Sequence, residues 1–221
     1  MAKKRVYAYY DGSNFYHGLK GSYGVTSIDF FHMTTQLLEL EKEELIRIKY
    51  FNSPVNQEED PQAYVKQQRF FAGLRRTPLV EVLLGRLVRR PLKKIRVECN
   101  KGCGTQQAEY VICPKCQNNI EIVRCSKSME KGIDVKLAIN MLTDALNDKY
   151  DVALLFSGDA DFCPAVKYIV KTVKKEVVYC HFPQPKTSEL LQTASSSRLI
   201  TIDAVNNALS TNSSNRPSLT K

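Results

Sequence analysis

The chain has no apolar run approaching the roughly 18 residues that a membrane-spanning helix needs. Its start, Met-Ala-Lys-Lys-Arg, is not followed by the apolar core of a signal peptide, so a cytoplasmic protein with no membrane partner is the expectation. Histidine is scarce. His17, His32 and His181 are the only three, none stands in a motif with a Ser or Cys nucleophile, and each reads as a surface or packed residue. Gly12, Gly18, Gly21 and Gly24 follow the first strand without spelling a phosphate-cradling loop, and the Lys-Ser/Thr of a Walker motif is missing. Internal repeats are also absent. These gaps argue against a membrane protein, a His-dependent nucleophilic hydrolase, a P-loop enzyme and a solenoid.

What remains is a chain of ordinary globular composition. Its 221 residues are 43% hydrophobic and 25% charged, enough to bury a real core in one domain with a small insertion. The net charge of +9 is unevenly placed. Between Lys66 and Lys101 stand eleven Lys and Arg against Glu81 and Glu98, so this stretch alone accounts for the whole surplus. Its densest part comprises Arg86, Arg89, Arg90, Lys93, Lys94 and Arg96, with Lys131 further along. A solvated face explains such a tract, but its concentration favours a polyanion partner, because each neutralised phosphate releases counterions.

Hydrophobic periodicity alternates between strand and helix. Arg5 to Tyr10 reads as a first strand ending at Asp11 and a Gly12 turn; Ser27 to Leu40 as a helix capped by Ser27; Leu45 to Phe51 as a second strand. Asp60-Pro61 opens a helix that Pro78 stops, and Leu79 to Val88 forms a third strand. From Asp134 a long amphipathic helix leads to the strand Val152 to Phe156. A helix through Val166 and Ile169, a strand from Glu176 to Cys180, a helix from Ser188 to Ala194, a strand from Leu199 to Ile202 and a short helix from Val205 to Leu209 complete the pattern. Such alternation predicts an α/β fold, a three-layer α/β/α sandwich on a mostly parallel, Rossmann-like sheet. Residues 210–221 are polar and aperiodic and read as a disordered tail.

The acids sit where the strands end. In Phe156-Ser157-Gly158-Asp159-Ala160-Asp161 an apolar strand stops at a Ser-Gly turn followed by two carboxylates. Taken alone, Asp159 and Asp161 serve equally well as helix caps. Asp11 ends the first strand, however, and Asp134 opens a helix after Lys131-Gly132-Ile133, so all four can meet at the carboxyl edge of a parallel sheet. Carboxylates gathered there repel one another unless a cation sits between them, and oxygen ligands suit Mg²⁺ or Mn²⁺.

Three motifs, Tyr10-Asp11-Gly12-Ser13-Asn14, Glu130-Lys131-Gly132-Ile133-Asp134 and Phe156-Ser157-Gly158-Asp159-Ala160-Asp161-Phe162, resemble the signatures of NYN domains of the LabA-like type, relatives of PIN-domain ribonucleases. The resemblance runs from Val6 to about Thr201. It implies a PIN-like fold and nuclease activity, with RNA ahead of DNA as substrate. It also implies a catalytic Mg²⁺ or Mn²⁺ on Asp11, Asp134, Asp159 and Asp161, with Asn14 and Ser157 in support. Glu130 reads as an exposed residue ahead of the helix rather than a further ligand. Oligomeric state stays open, a homodimer along an edge strand being one arrangement the resemblance allows. The competing reading is a nucleic-acid-binding or scaffolding module with little turnover; a third is a phosphatase or nucleotide hydrolase using the same metal chemistry.

Four of the seven cysteines crowd together, as Cys99-x3-Cys103 and Cys113-x2-Cys116. Two turns that each present a pair of thiolates supply the tetrahedral set of a structural Zn²⁺, and Gly102, Gly104 and Pro114 suit such turns. Free thiols or a redox pair are the alternative. The expected organisation is therefore an NYN/PIN-like domain on residues 1–95 and 125–209, interrupted by a zinc ribbon on 96–124. Cys125, Cys163 and Cys180 read as buried thiols.

Overall fold

Strand β1 (Lys4–Asp11) runs through the middle of the sheet, and its alternation explains the layers. Val6, Ala8 and Tyr10 point into one core while Tyr7 and Tyr9 point into the other, as the two-residue period of a strand requires. The computed structural model describes residues 2–91, 96–98, 105–107, 126–184 and 187–209. After β1 come helices α1 (Gly12–Tyr23) and α2 (Phe30–Thr35), strand β2 (Glu43–Asn52), helix α3 (Pro61–Leu74) and strand β3 (Val80–Leu84). Next are strands β4 (Arg86–Pro91), β5 (Arg96–Glu98), β6 (Thr105–Gln107) and β7 (Ser126–Lys131). Helix α4 (Ile133–Leu146), strand β8 (Val152–Phe156), helix α5 (Cys163–Tyr168), strand β9 (Glu176–His181), helix α6 (Ser188–Thr193), strand β10 (Ser196–Leu199) and helix α7 (Ile202–Ala208) follow.

The chain divides into two compact units, one of Met1–Gly85 with Gly132–Lys221 and one of Arg86–Lys131. In the first, six strands form one parallel sheet in the order β10-β9-β8-β1-β2-β3. One face buries Phe15 and Leu19 of α1, Phe30 and Met33 of α2, Phe71 and Leu74 of α3, and Val205 of α7. The other buries Leu137 and Met141 of α4, Val166 of α5 and Leu190 of α6. Helices on both faces make this the α/β/α sandwich that the periodicity predicts. Tyr10 and Phe156, on neighbouring strands, stack with centroids 3.8 Å apart and planes 10° from parallel. Such a pair adds about 0.5–1.5 kcal/mol beyond its area and ties β1 to β8 at the edge where both strands end. Beneath α4, the Lys49 Nζ donates to Asp144 Oδ2 at 2.5 Å, and the Tyr9 hydroxyl donates to the same oxygen at 2.8 Å.

Several boundaries differ from expectation. The residues after Asp11 are a helix rather than a turn, because Asp11 itself caps α1. Asp29, not Ser27, caps α2 by accepting from the His32 N–H at 2.9 Å. The third strand stops at Leu84: a Cβ at Gly85 would stand 2.6 Å from Ile133 Cγ1 and 2.9 Å from Ser53 Oγ, so the chain passes there only as glycine. The last strand lies at Ser196–Leu199 because Thr201 already caps α7.

In the second unit β4 pairs antiparallel with β7, and β5 with β6. Cys99, Cys103, Cys113 and Cys116, with Cys125, Lys93, Lys94 and residues 210–221, lie outside the described residues.

Candidate active site

β1 leads outward to β2 and β3 on one side of the sheet, while β8, β9 and β10 fill the other. The carboxyl ends of β1 and β8 therefore flank the point where strand order reverses, the place where open α/β sheets bind ligands. Asp11 is the last residue of β1 and is only 5% exposed. Its Oδ1 accepts from the Asn14 N–H at 3.1 Å, capping α1, and its Oδ2 accepts from Ser157 Oγ at 3.0 Å. Ser157, also buried, accepts in turn from the Asp159 N–H at 3.2 Å. Asn14 reaches back across the same gap, its Oδ1 accepting from the Gly158 N–H at 3.0 Å. Two polar links, spanning 146 and 144 residues of sequence, thus join the end of β1 and the start of α1 to the turn after β8.

Asp159 caps the 3-10 turn Ala160–Phe162, its Oδ1 accepting from the Asp161 N–H at 3.0 Å. Capping and cation binding are compatible at that residue, since an ionised carboxylate offers about four lone-pair sites. Asp161 is exposed. Asp134 is exposed in the first turn of α4, whose leading residue Ile133 packs over Gly85 and Ser53 at the ends of β3 and β2. It therefore occupies the same sheet edge, on another element, and a carboxylate there also suits the helix dipole. The structure brings Asp11, Asn14, Ser157 and Asp159 into one hydrogen-bonded chain, with Asp161 bonded to its end.

Among the described residues no group of three or more His, Cys, Asp and Glu is placed to hold a metal ion. The donor chemistry at the strand ends is nevertheless all oxygen, from carboxylates, an amide and a hydroxyl. Mg²⁺ keeps several waters and takes one or two carboxylates plus substrate phosphates, so a pair such as Asp11 and Asp159 fits that mode of binding.

Two residues that sequence reading passed over complete the floor. A Cβ on Gly12 would stand 2.4 Å from the Tyr50 hydroxyl, so this glycine lets the tyrosine lie directly under the start of α1. Asn52 Nδ2 donates to that hydroxyl at 3.1 Å. Burial, reinforced by the charge of Asp11, pushes the Tyr50 hydroxyl up to about 12 against the opposing pull of Asn52. The signal was the Gly12 position itself, which reads as a turn until a helix is seen to start there.

The NYN domain family model matches residues 5–203, most of the chain. The chain belongs to the NYN domain family. This is a PIN-like nuclease family. A crystal structure of a protein of unknown function from Vibrio parahaemolyticus is similar at 20% identity, over 91% of this chain and 95% of that one, with a TM-score of 0.60. At that identity the likeness bears on fold alone. No curated protein matches the chain.

The candidate basic residues fall elsewhere. Arg86, Arg89 and Arg90 lie on β4, Lys131 on β7 and Arg96 on β5, all in the second unit of this NYN chain. Register sets Arg86 opposite Lys131 and Arg90 opposite Lys127, so cationic positions face one another along the ladder. Among the described residues no helix is long and apolar enough to cross a membrane.

Proposed function

We propose that this NYN domain, of the LabA-like type, is a divalent-metal-dependent nuclease that hydrolyses phosphodiester bonds in RNA within the cytoplasm. The observation that carries the reading is the Asp11–Ser157–Asp159 chain of hydrogen bonds at the strand-order reversal. It ties the Asp11 carboxylate, at the end of β1, to the backbone of Asp159 just past the end of β8. Asp11, Asp134, Asp159 and Asp161 would hold Mg²⁺ or Mn²⁺, which supplies charge neutralisation at the phosphate and acidifies water. The chain's own residues do the positioning. Ser157 orients Oδ2 of Asp11 and the backbone of Asp159 together, and Asn14 keeps the Gly158 turn against α1. RNA contact falls to Arg86, Arg89, Arg90, Lys93, Lys94, Arg96 and Lys131. Register pairs Arg86 with Lys131 and Arg90 with Lys127 along the β4–β7 ladder, a concentration of positive charge in the chain that suits a polyanion.

The same reading includes a Cys99/Cys103/Cys113/Cys116 zinc ribbon on residues 96–124, set into the domain formed by 1–95 and 125–209. In sequence the first cysteine pair stands between β5 and β6, which pair as the two arms of a hairpin. Mass spectrometry of the intact protein tests it: one zinc per chain, lost when Cys113 and Cys116 become Ser, is the expected result.

The nuclease test uses end-labelled single- and double-stranded RNA and DNA in Mg²⁺, Mn²⁺ or EDTA, with the Asp159→Asn variant alongside. Products that need metal and disappear in the variant support the enzyme. The cationic ladder favours a second reading, a binding module without turnover. Retention of RNA in every condition with no products supports that module and refutes the nuclease.

A further inference from the structure

On the β9 side of the acid site the first unit carries a cleft of about 490 Å³, between α1 and the ends of β8 and β9. We propose that this cleft receives a nucleobase of a single-stranded nucleic acid, beside the phosphate engaged at Asp11 and Asp159; the proposal rests on the nuclease reading above.

Position is the first argument. Asn14, Ser157 and Gly158 belong both to the hydrogen-bonded acid chain and to the cleft wall, so an occupant lies one residue's width from the strand ends. Chemistry is the second. Among the described residues no Lys, Arg, Asp or Glu lines the cleft, so the lining described is matched neither to a phosphate nor to a metal ion. It offers instead the polar groups of Ser22, Gln184, His17 and His181 around the flat ring of Phe182. A planar, uncharged heterocycle with edge donors and acceptors satisfies such a lining, and aromatic stacking on a base is sequence-tolerant. The volume falls in the ordinary range for small-molecule sites, about 300–1,000 Å³.

His181 adds a directional element. Its Nδ1 lies 2.8 Å from the Phe182 carbonyl, which can only accept, so Nδ1 is the donor and that bond fixes the orientation of the ring in the cleft wall. A ring held in one orientation offers a fixed polar edge to the edge groups of a base. Helix α1 supplies the third argument. Gly18 is explained by the fold, because a Cβ there would stand 2.4 Å from Phe182 Cε2. Gly21, one turn on, has nothing within 4 Å of its Cβ position, yet it lines the cleft. A helical glycine costs about 0.5–1 kcal/mol relative to alanine, and at Gly21 no packing contact requires it. An open wall for a ligand does.

The experiment measures binding of the four nucleoside 5′-monophosphates to the full chain in EDTA, with ribose 5-phosphate as the baseless control. At least one nucleotide should bind at millimolar concentration while the control does not. Gly21→Phe, which projects a ring into the cleft from an open helix position, should weaken that binding at least tenfold without lowering the melting temperature. Equal binding of ribose 5-phosphate, no binding of any nucleotide, or full binding by Gly21→Phe overturns the proposal. Nucleotide binding that Gly21→Phe abolishes, in a chain that cuts nothing, leaves the cleft standing and removes the nuclease. Cleavage with an unchanged KM in Gly21→Phe does the reverse.

Discussion

Replacing Asp11 with Asn separates chemistry from folding at the centre of the site. The amide keeps an oxygen for the Asn14 N–H, which Oδ1 now accepts at 3.1 Å, and Asn caps helices as well as Asp does. The change falls on Oδ2, which accepts from Ser157 Oγ at 3.0 Å. An NH₂ group there donates into a hydroxyl that already accepts from the Asp159 N–H at 3.2 Å. Serine has two lone pairs and can take both, but its own proton loses a charged acceptor. A bond to a charged group, worth about 1.5–3 kcal/mol, gives way to a neutral one of about 0.5–1.5, a loss of about 1–2 kcal/mol. For a chain of 221 residues that lowers Tm by about 2–8 °C. Cleavage should fall much further. Mutating groups that merely support metal ligands costs on the order of 10- to 100-fold, so a carboxylate ligand should exceed that. Cleavage of labelled RNA in Mn²⁺, beside a thermal melt, reads both quantities. A variant that cuts at the parent rate would refute the role of Asp11, and a collapse in Tm would show that the carboxylate is there for folding.

Other outcomes follow from the same geometry. Gly12→Ala should cost about 1–3 kcal/mol, because the new methyl meets Tyr50 and the Phe51 carbonyl, whereas Gly21→Ala in the same helix should add about 0.5–1 kcal/mol; urea melts of the two should shift in opposite directions. Lys49→Met leaves the buried Asp144 carboxylate without its closest cation and should cost about 3–5 kcal/mol, measured by the same melts. The Tyr50 hydroxyl titrates higher in the fold than in the open chain, so its contribution is complete below pH about 10 and lost as pH rises toward 12. Tyr50→Phe should therefore flatten the alkaline loss of stability by on the order of 2–3 kcal/mol relative to the parent; parallel curves would refute it.

The layers were legible because β1 and β8 are apolar runs bounded by turn signals, and α4 repeats at helical spacing. Asp11 and Asp159 were legible as acids at strand ends, since residue order places them there whatever the helices do. Helix α1 was not, because its first turn, Gly12-Ser13-Asn14, is the composition of a turn and its start depends on a cap supplied by β1. Tyr50 and Asn52 were hidden for a related reason: strand pairing with β1 brings them beside Asp11, and no local pattern records that pairing. The cleft residues His17 and His181 come from elements far apart in sequence and share a wall only through the sheet. Ser53, whose buried Oγ has no hydrogen-bond partner among the described residues, has no account beyond its packing on Gly85.

The link between Asp11 and Ser157 also bears on when the molecule becomes competent. A ribosome that has released β1, β2 and β3 has made one side of the acid edge and none of the other, and contacts so distant in sequence form late. Only when β8, made after the second unit and α4, docks beside β1 do the two halves meet. The acid edge is therefore completed in a single step, when β8 docks, and no shorter portion of the chain assembles it.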